Sequence, residues 1–178
     1  MNWMIKLALV AAVVAAMVGM MVAQGAGGPP KPKRSPAGMA IETIKVNGES
    51  FETEIAATEV TRTKGLGDRA SIGKNEAMLF VFRVSDVQRF WMKGCLMDVD
   101  IAYLDRTGVI TAVHEMKMEP PPGPNETTAD YEGRLKFYGS DQDALYAMEF
   151  APGTITRLGL KAGQTIPLDH GKLRGYLR

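Results

Sequence analysis

Asp100 and Glu149 are the residues whose setting most invites chemistry, because each is a carboxylate inside an apolar run. In Val99-Asp100-Ile101-Ala102-Tyr103-Leu104, strand alternation places Asp100 on one side with Ala102 and Leu104. In Leu145-Tyr146-Ala147-Met148-Glu149-Phe150 the same alternation groups Glu149 with Leu145 and Ala147. A carboxylate taken out of water must be paired or protonated, since an isolated buried ion carries a heavy desolvation penalty. The cations within reach in the pattern are Arg62, Arg69 and Lys93, and Trp91 stands two residues before Lys93. Trp91, Lys93, Asp100, Glu149, Arg62 and Arg69 therefore form a candidate ligand-binding set. The plainer alternative is that the cations pair the carboxylates and fix strand register, with Asp100 held by Lys93, Arg62 or Arg69.

Catalysis is the weaker reading. No nucleophile and base stand at a telling spacing, so no catalytic residue is assigned. An envelope hydrolase with Asp100 or Glu149 as acid or base is the alternative. Cys95 could act as a nucleophile only with His114 or His170, and reads better as a small buried hydrophobe. His114-x-Met116-x-Met118 would share one strand face, and an imidazole with two thioethers is a ligand set suited to Cu(I). Ile110 and Ala112 begin the same face, so ordinary core packing explains the methionines more simply. No cofactor is called for.

The elements that must position these groups are mostly strands. Ile41 to Val46 and Phe51 to Ala57 flank Asn47-Gly48, a pair suited to the positive dihedrals of a tight hairpin. Thr58 is placed to cap a short helix through Arg62 and Leu66, stopped by Gly65 and Gly67. Met78 to Phe82 reads as a buried strand and Val87 to Met92 as the next. The stretch around Asp100 should pair with Val109 to Met116 across the turn residues Asp105 to Gly108. Pro120 to Asp130 is too rich in proline for a periodic element and reads as a long exposed loop. Leu135 to Tyr138 and Leu145 to Phe150 are further strands, Thr154 is placed to cap a short helix ending at Gly159, and Gly163 to Ile166 reads as the start of a last strand. The pattern is mainly β (α+β), a compact antiparallel β barrel or sandwich with one or two short helices.

The 178 residues suffice for one domain and a leader. Leu7 to Ala23 carries no charge, follows Lys6, and is succeeded by small residues at Ala23-Gln24-Gly25 or Gln24-Gly25-Ala26. Residues 1–25 therefore read as a signal peptide or an N-terminal membrane anchor, with tethering through residues 5–23 if it is retained. The expected location is periplasmic or extracellular, or the membrane surface. Residues 26–40 form a linker rich in proline and glycine, 41–168 the β domain, and 169–178 a basic, solvated tail. Without Lys6 the 21 basic side chains become 20 against 20 acidic ones, which leaves no electrostatic footprint for nucleic acid. A single cysteine means no internal disulfide.

Several motifs resemble the family called domain of unknown function 192. They are Thr58-x-x-x-Arg62-x-x-Gly65-Leu66-x-x-Arg69, Met78-Leu79-Phe80-x-Phe82, Phe90-Trp91-Met92-Lys93, and Asp100. Tyr138-x-Ser140, Tyr146-x-Met148-Glu149, Gly153 and Leu158-Gly159-x-Lys161-x-Gly163 follow in the family's order. The resemblance implies a β-rich domain, frequently exported, and supplies no activity. It departs at Gly94 and Cys95, where the family usually has Asn and Thr, at Asp98 in place of a proline, and at Gly67 in place of a methionine. From residues and resemblance together, the expectation is a non-catalytic module of the cell envelope that binds a small molecule or peptide.

Overall fold

The computed structural model describes residues 33–177. The residues read as a leader, 1–25, and the first part of the expected linker, 26–32, lie outside them. Six strands form one mixed sheet: β1 (Ile41–Val46), β2 (Glu49–Ala56), β3 (Glu76–Phe90), β4 (Val99–Leu104), β5 (Ile110–Met116) and β6 (Tyr138–Phe150). Their order across the sheet is β1-β2-β3-β6-β4-β5. All neighbours are antiparallel except β2 and β3. The two hairpins read from the sequence are present, and Asn47 (φ 46°) and Gly48 (φ 87°) supply the positive dihedrals the first turn requires.

Core covers both faces of this mainly β fold, and strand alternation sorts the residues between them. One face carries Phe51, Leu79, Leu104, Met148 and Phe150, and is covered by Ile155, Leu160 and Leu173. The other carries Met78, Phe80, Ile101, Tyr103 and Ala147 beneath Leu66 and Met92. We call the first the helix face and the second the cleft face. Double coverage explains why β4 is buried at every position, which a half-exposed strand would not be.

Among the described residues there are four short helices: α1 (Glu59–Lys64) and α2 (Thr128–Arg134) between strands, and α3 (Thr154–Leu158) and α4 (His170–Arg174) after the last strand. The sequence pattern accounts for α1 and α3. The other two are additions with physical causes. In α2, Thr127 and Asp130 form a capping box, and Arg134 reaches back to Glu126 and to the carbonyls of Pro120 and Pro121. The proline segment is thus pinned to the helix that follows it. In α4, Leu173 is buried and Lys172 and Tyr176 both reach Glu42 on β1, so the tail is docked through these residues while Lys172 and Arg174 stay exposed.

Four boundaries also differ. The segments expected as separate strands at Met78 and Val87 are one strand, β3, bulged opposite β6 between Val81 and Asp86. Leu135 caps α2, and residues 163–166 contribute only an isolated bridge between Val109 and Thr165. Order begins before residue 41, with a bridge from Arg34 to Ala40 and Met39 buried.

Candidate functional site

The two buried carboxylates lie on opposite faces of the sheet. Asp100 is paired in register with Phe150, and its neighbour Ile101 with Glu149. Asp100 therefore points to the helix face and Glu149 to the cleft face. They cannot meet in one cleft, and an acid/base pair built from both is excluded by topology.

Asp100 has no cation partner among the described residues, contrary to the expectation from sequence. Its Oδ2 accepts a 2.8 Å hydrogen bond from the backbone N–H of Ile155, and the Gly153 N–H also donates to this carboxylate. These are orphan donors at the start of α3, whose N-cap, Gly153, has no side chain to satisfy them. A carboxylate from a distant strand does the capping. On the same edge Thr156 Oγ1 donates to Glu115 Oε1 at 2.7 Å, so β4 and β5 together hold the helix. Burial raises the Asp100 pKa, and the Ile155 and Gly153 N–H groups oppose the rise.

Glu149 occupies the middle of a row that crosses the cleft face from Glu54 through Met78, Glu149 and Ile101 to His114. Each end of that row is satisfied. Glu54 receives both guanidinium nitrogens of Arg69, at 2.7 and 2.9 Å, and His114 Nε2 lies 2.7 Å from the Gly139 carbonyl. Glu149 has only Met78 and Ile101 beside it, both fully buried, so no polar side chain can reach it sideways. Its Oε2 is buried with no hydrogen-bond partner among the described residues. Burial pushes its pKa up to about 8, opposed by the charge of Arg69. Burial thus favours the protonated, uncharged form of the Glu149 carboxyl.

Above this carboxyl is an open cleft of about 320 Å³, at the lower end of the range for small-ligand sites. Glu149 lies at its floor. One wall is α1 with the turn after it, and the other is the end of β3 with the loop Trp91–Cys95. The backbone N–H of Asp68 donates to the Gly94 carbonyl at 3.1 Å and ties the two walls together. Gly65 permits the close approach. Its φ is 50°, and a Cβ there would stand 3.4 Å from the Phe80 ring and 3.8 Å from Glu149 Oε2.

The local sequence explains how each wall is held. Thr58 and Thr61 form the capping box that starts α1. Arg62 then donates through Nη1 to the carbonyls of Ala57 and Val81, at 2.7 and 3.1 Å, anchoring the helix to β3. Phe80, Phe82 and Phe90 pack edge to face, with Phe80 and Phe90 centroids 4.8 Å apart. Trp91 stacks on Phe137 at 5.2 Å, and Lys93 both approaches the Trp91 ring and pairs with Glu132 of α2.

Of the six residues expected to form a binding set, Trp91, Lys93, Glu149 and Arg62 line this cleft. Arg69 stands behind it on Glu54, and Asp100 belongs to the other face. Cys95 also lines the cleft, and burial pushes its thiol up to about 11, which suits a packing role. The His114, Met116 and Met118 group does not share one strand face. β5 ends at Met116, which is core, and Met118 beyond it is exposed. Ile110 falls on the helix face because the ladder shifts register opposite Leu104. The sequence reading missed Gly65 and Phe137. A glycine closing a capped helix was a visible signal for the first, and nothing local indicated the second.

A doubly covered mixed sheet with a small basic and aromatic cleft over one buried acid defines a small-ligand-sized site on a β-rich scaffold. The chain belongs to the DUF192 family, described as "Uncharacterized ACR", whose model matches residues 42–168. Two solved structures share the fold. One is a protein of unknown function from Novosphingobium aromaticivorans DSM 12444, 23% identical, with a TM-score of 0.62 over 82% of this chain and 98% of that one. The other, described as a candidate transcription regulator from Sinorhizobium meliloti 1021, is also 23% identical, with a TM-score of 0.56 over 71% of this chain and 90% of that one. No curated protein matches the chain.

Proposed function

We propose that the protein is a non-catalytic binding module of the cell envelope, and that the cleft over Glu149 holds a small molecule or a short stretch of peptide. The observation that carries this reading is Glu149, which lines the open cleft and whose buried Oε2 has no partner among the described residues. Buried polar atoms are normally satisfied, and one left without a protein partner beside an open space suits a partner that comes from outside. The aromatic wall of Phe82, Phe90 and Trp91 offers apolar contact around it. The envelope location rests on the charge-free run from Leu7 to Ala23.

A small-molecule fragment set screened by NMR tests the reading, with the Trp91 indole N–H assigned by comparison with Trp91→Phe. Binders should move that signal together with the amides of Gly65 and Gly67. Binders that leave those resonances unmoved, or a complete lack of binders, would contradict a ligand site here.

A further inference from the structure

The cleft over Glu149 is strongly one-sided in charge. Arg62 and Lys64 on α1, Arg89 on β3 and Lys93 beyond it all line it, against the single carboxyl of Glu149. Lys64 and Lys93 are already paired, with Asp68 and Glu132. Arg62 and Arg89 enter no ion pair among the described residues. Arg62 is also held in place, since Nη1 is fixed by the carbonyls of Ala57 and Val81 while Nη2 makes no bond among the described residues. A fixed guanidinium with free donors is a fork suited to a carboxylate. An ammonium ligand would meet the unpaired Arg62 and Arg89 with only the Glu149 carboxyl to receive it.

Resting on the binding reading above, we infer that the ligand is a small amphipathic monocarboxylate. Its anionic head lies on the guanidiniums of Arg62 and Arg89, its apolar body lies against Phe82, Phe90 and Trp91, and it accepts a hydrogen bond from the protonated carboxyl of Glu149. A neutral acid is the form of Glu149 that tolerates an anion nearby, because it donates a hydrogen bond and adds no repulsion.

This arrangement makes binding depend on pH in a defined direction. The charged and titratable groups facing Glu149 are Arg62 and Lys64 from α1, Arg69 from the turn behind it with its partner Glu54, Arg89 from β3, Lys93 and Cys95 from the loop, and Tyr103 from β4. Burial holds the Cys95 thiol at about 11 and pushes the Tyr103 hydroxyl higher still, so neither ionises below pH 9.5. Ionisation of Glu149 near pH 8 is then the event that weakens anion binding.

The test titrates the full chain with phenylacetate and N-acetylleucine, the neutral phenylacetamide and the cationic phenethylamine, following the Trp91 indole N–H. At pH 7 the two carboxylates should bind at least about tenfold more tightly than the amide, and the amine should not bind. Carboxylate affinity should fall about tenfold for each pH unit above 8, as the binding-competent form is depleted. Glu149→Gln keeps a donor and should bind with a flat pH profile. Arg62→Gln should lose about tenfold or more, and Arg89→Gln, at an exposed residue, reports the same loss if Arg62→Gln disturbs the fold. Amine or amide binding as tightly as carboxylate, or a flat wild-type profile from pH 7 to 9.5, would overturn the monocarboxylate and leave the cleft as a binding site. No response of Trp91 to any probe would overturn both.

Discussion

Asp100 and Glu149 are equally withdrawn from water, 2% and 6% exposed, on neighbouring strands of one sheet, and the chain treats them in opposite ways. On the helix face Asp100 is absorbed into the framework, where its oxygens complete the first turn of α3. On the cleft face Glu149 has apolar neighbours on both sides, a glycine above and, among the described residues, no partner for Oε2. Burial alone therefore does not mark a functional acid. The distinction is whether the surrounding backbone and side chains satisfy it.

The largest expected effect breaks the comparison through pH. The unfolded chain releases the Glu149 proton near its ordinary 4.5, while the folded protein keeps it up to about 8. The stability this proton contributes is complete below pH 4.5 and is lost as pH rises to 8. In urea melts, wild type should lose about 1.4 kcal/mol relative to Glu149→Gln for each pH unit between 5 and 8, with no further change above that. A difference independent of pH would contradict a proton held on Glu149 by the fold.

Next comes Asp100→Ala, which strands the Ile155 N–H in the core. It should cost about 2–3 kcal/mol in the same melts, and Asp100→Asn about half of that, because the amide oxygen still accepts from Ile155. An Asp100→Ala protein as stable as wild type would remove the framework role. Arg69→Gln sharpens the contrast from behind the cleft. Breaking its half-buried pair with Glu54 should cost about 1–2 kcal/mol. Loss of its charge should also move the Glu149 transition to higher pH, since Arg69 is the group that opposes the rise. Smallest is Lys93→Ala. Its pair with Glu132 is solvent-accessible, and the change in melting free energy should stay below about 1 kcal/mol.

The local pieces of this fold were legible and the long-range ones were not. Asn47-Gly48, Thr58 and the turn from Asp105 to Gly108 announce themselves because a turn or a cap depends on residues a few positions apart. The broken alternation at Asp100 and Glu149 likewise exposed which side of each strand they share. Only the insertion of β6 between β3 and β4 shows that those sides are opposite, and that pairing joins residues about fifty positions apart. Asp100 was expected to have a cation because side chains can be read from a sequence, whereas two free backbone N–H groups cannot. The Thr127 to Asp130 capping box was hidden within a proline-rich stretch, and Leu173 within a basic tail.

The central claim is that Glu149 carries a proton at neutral pH on the floor of the cleft. Carbon-13 NMR of glutamate side-chain carboxyls, with Glu149 assigned by its loss in Glu149→Gln, reads that state directly. One carboxyl should keep its acid chemical shift at pH 7 and titrate near pH 8, well apart from the other glutamates. A Glu149 signal already ionised at pH 6 would contradict the account.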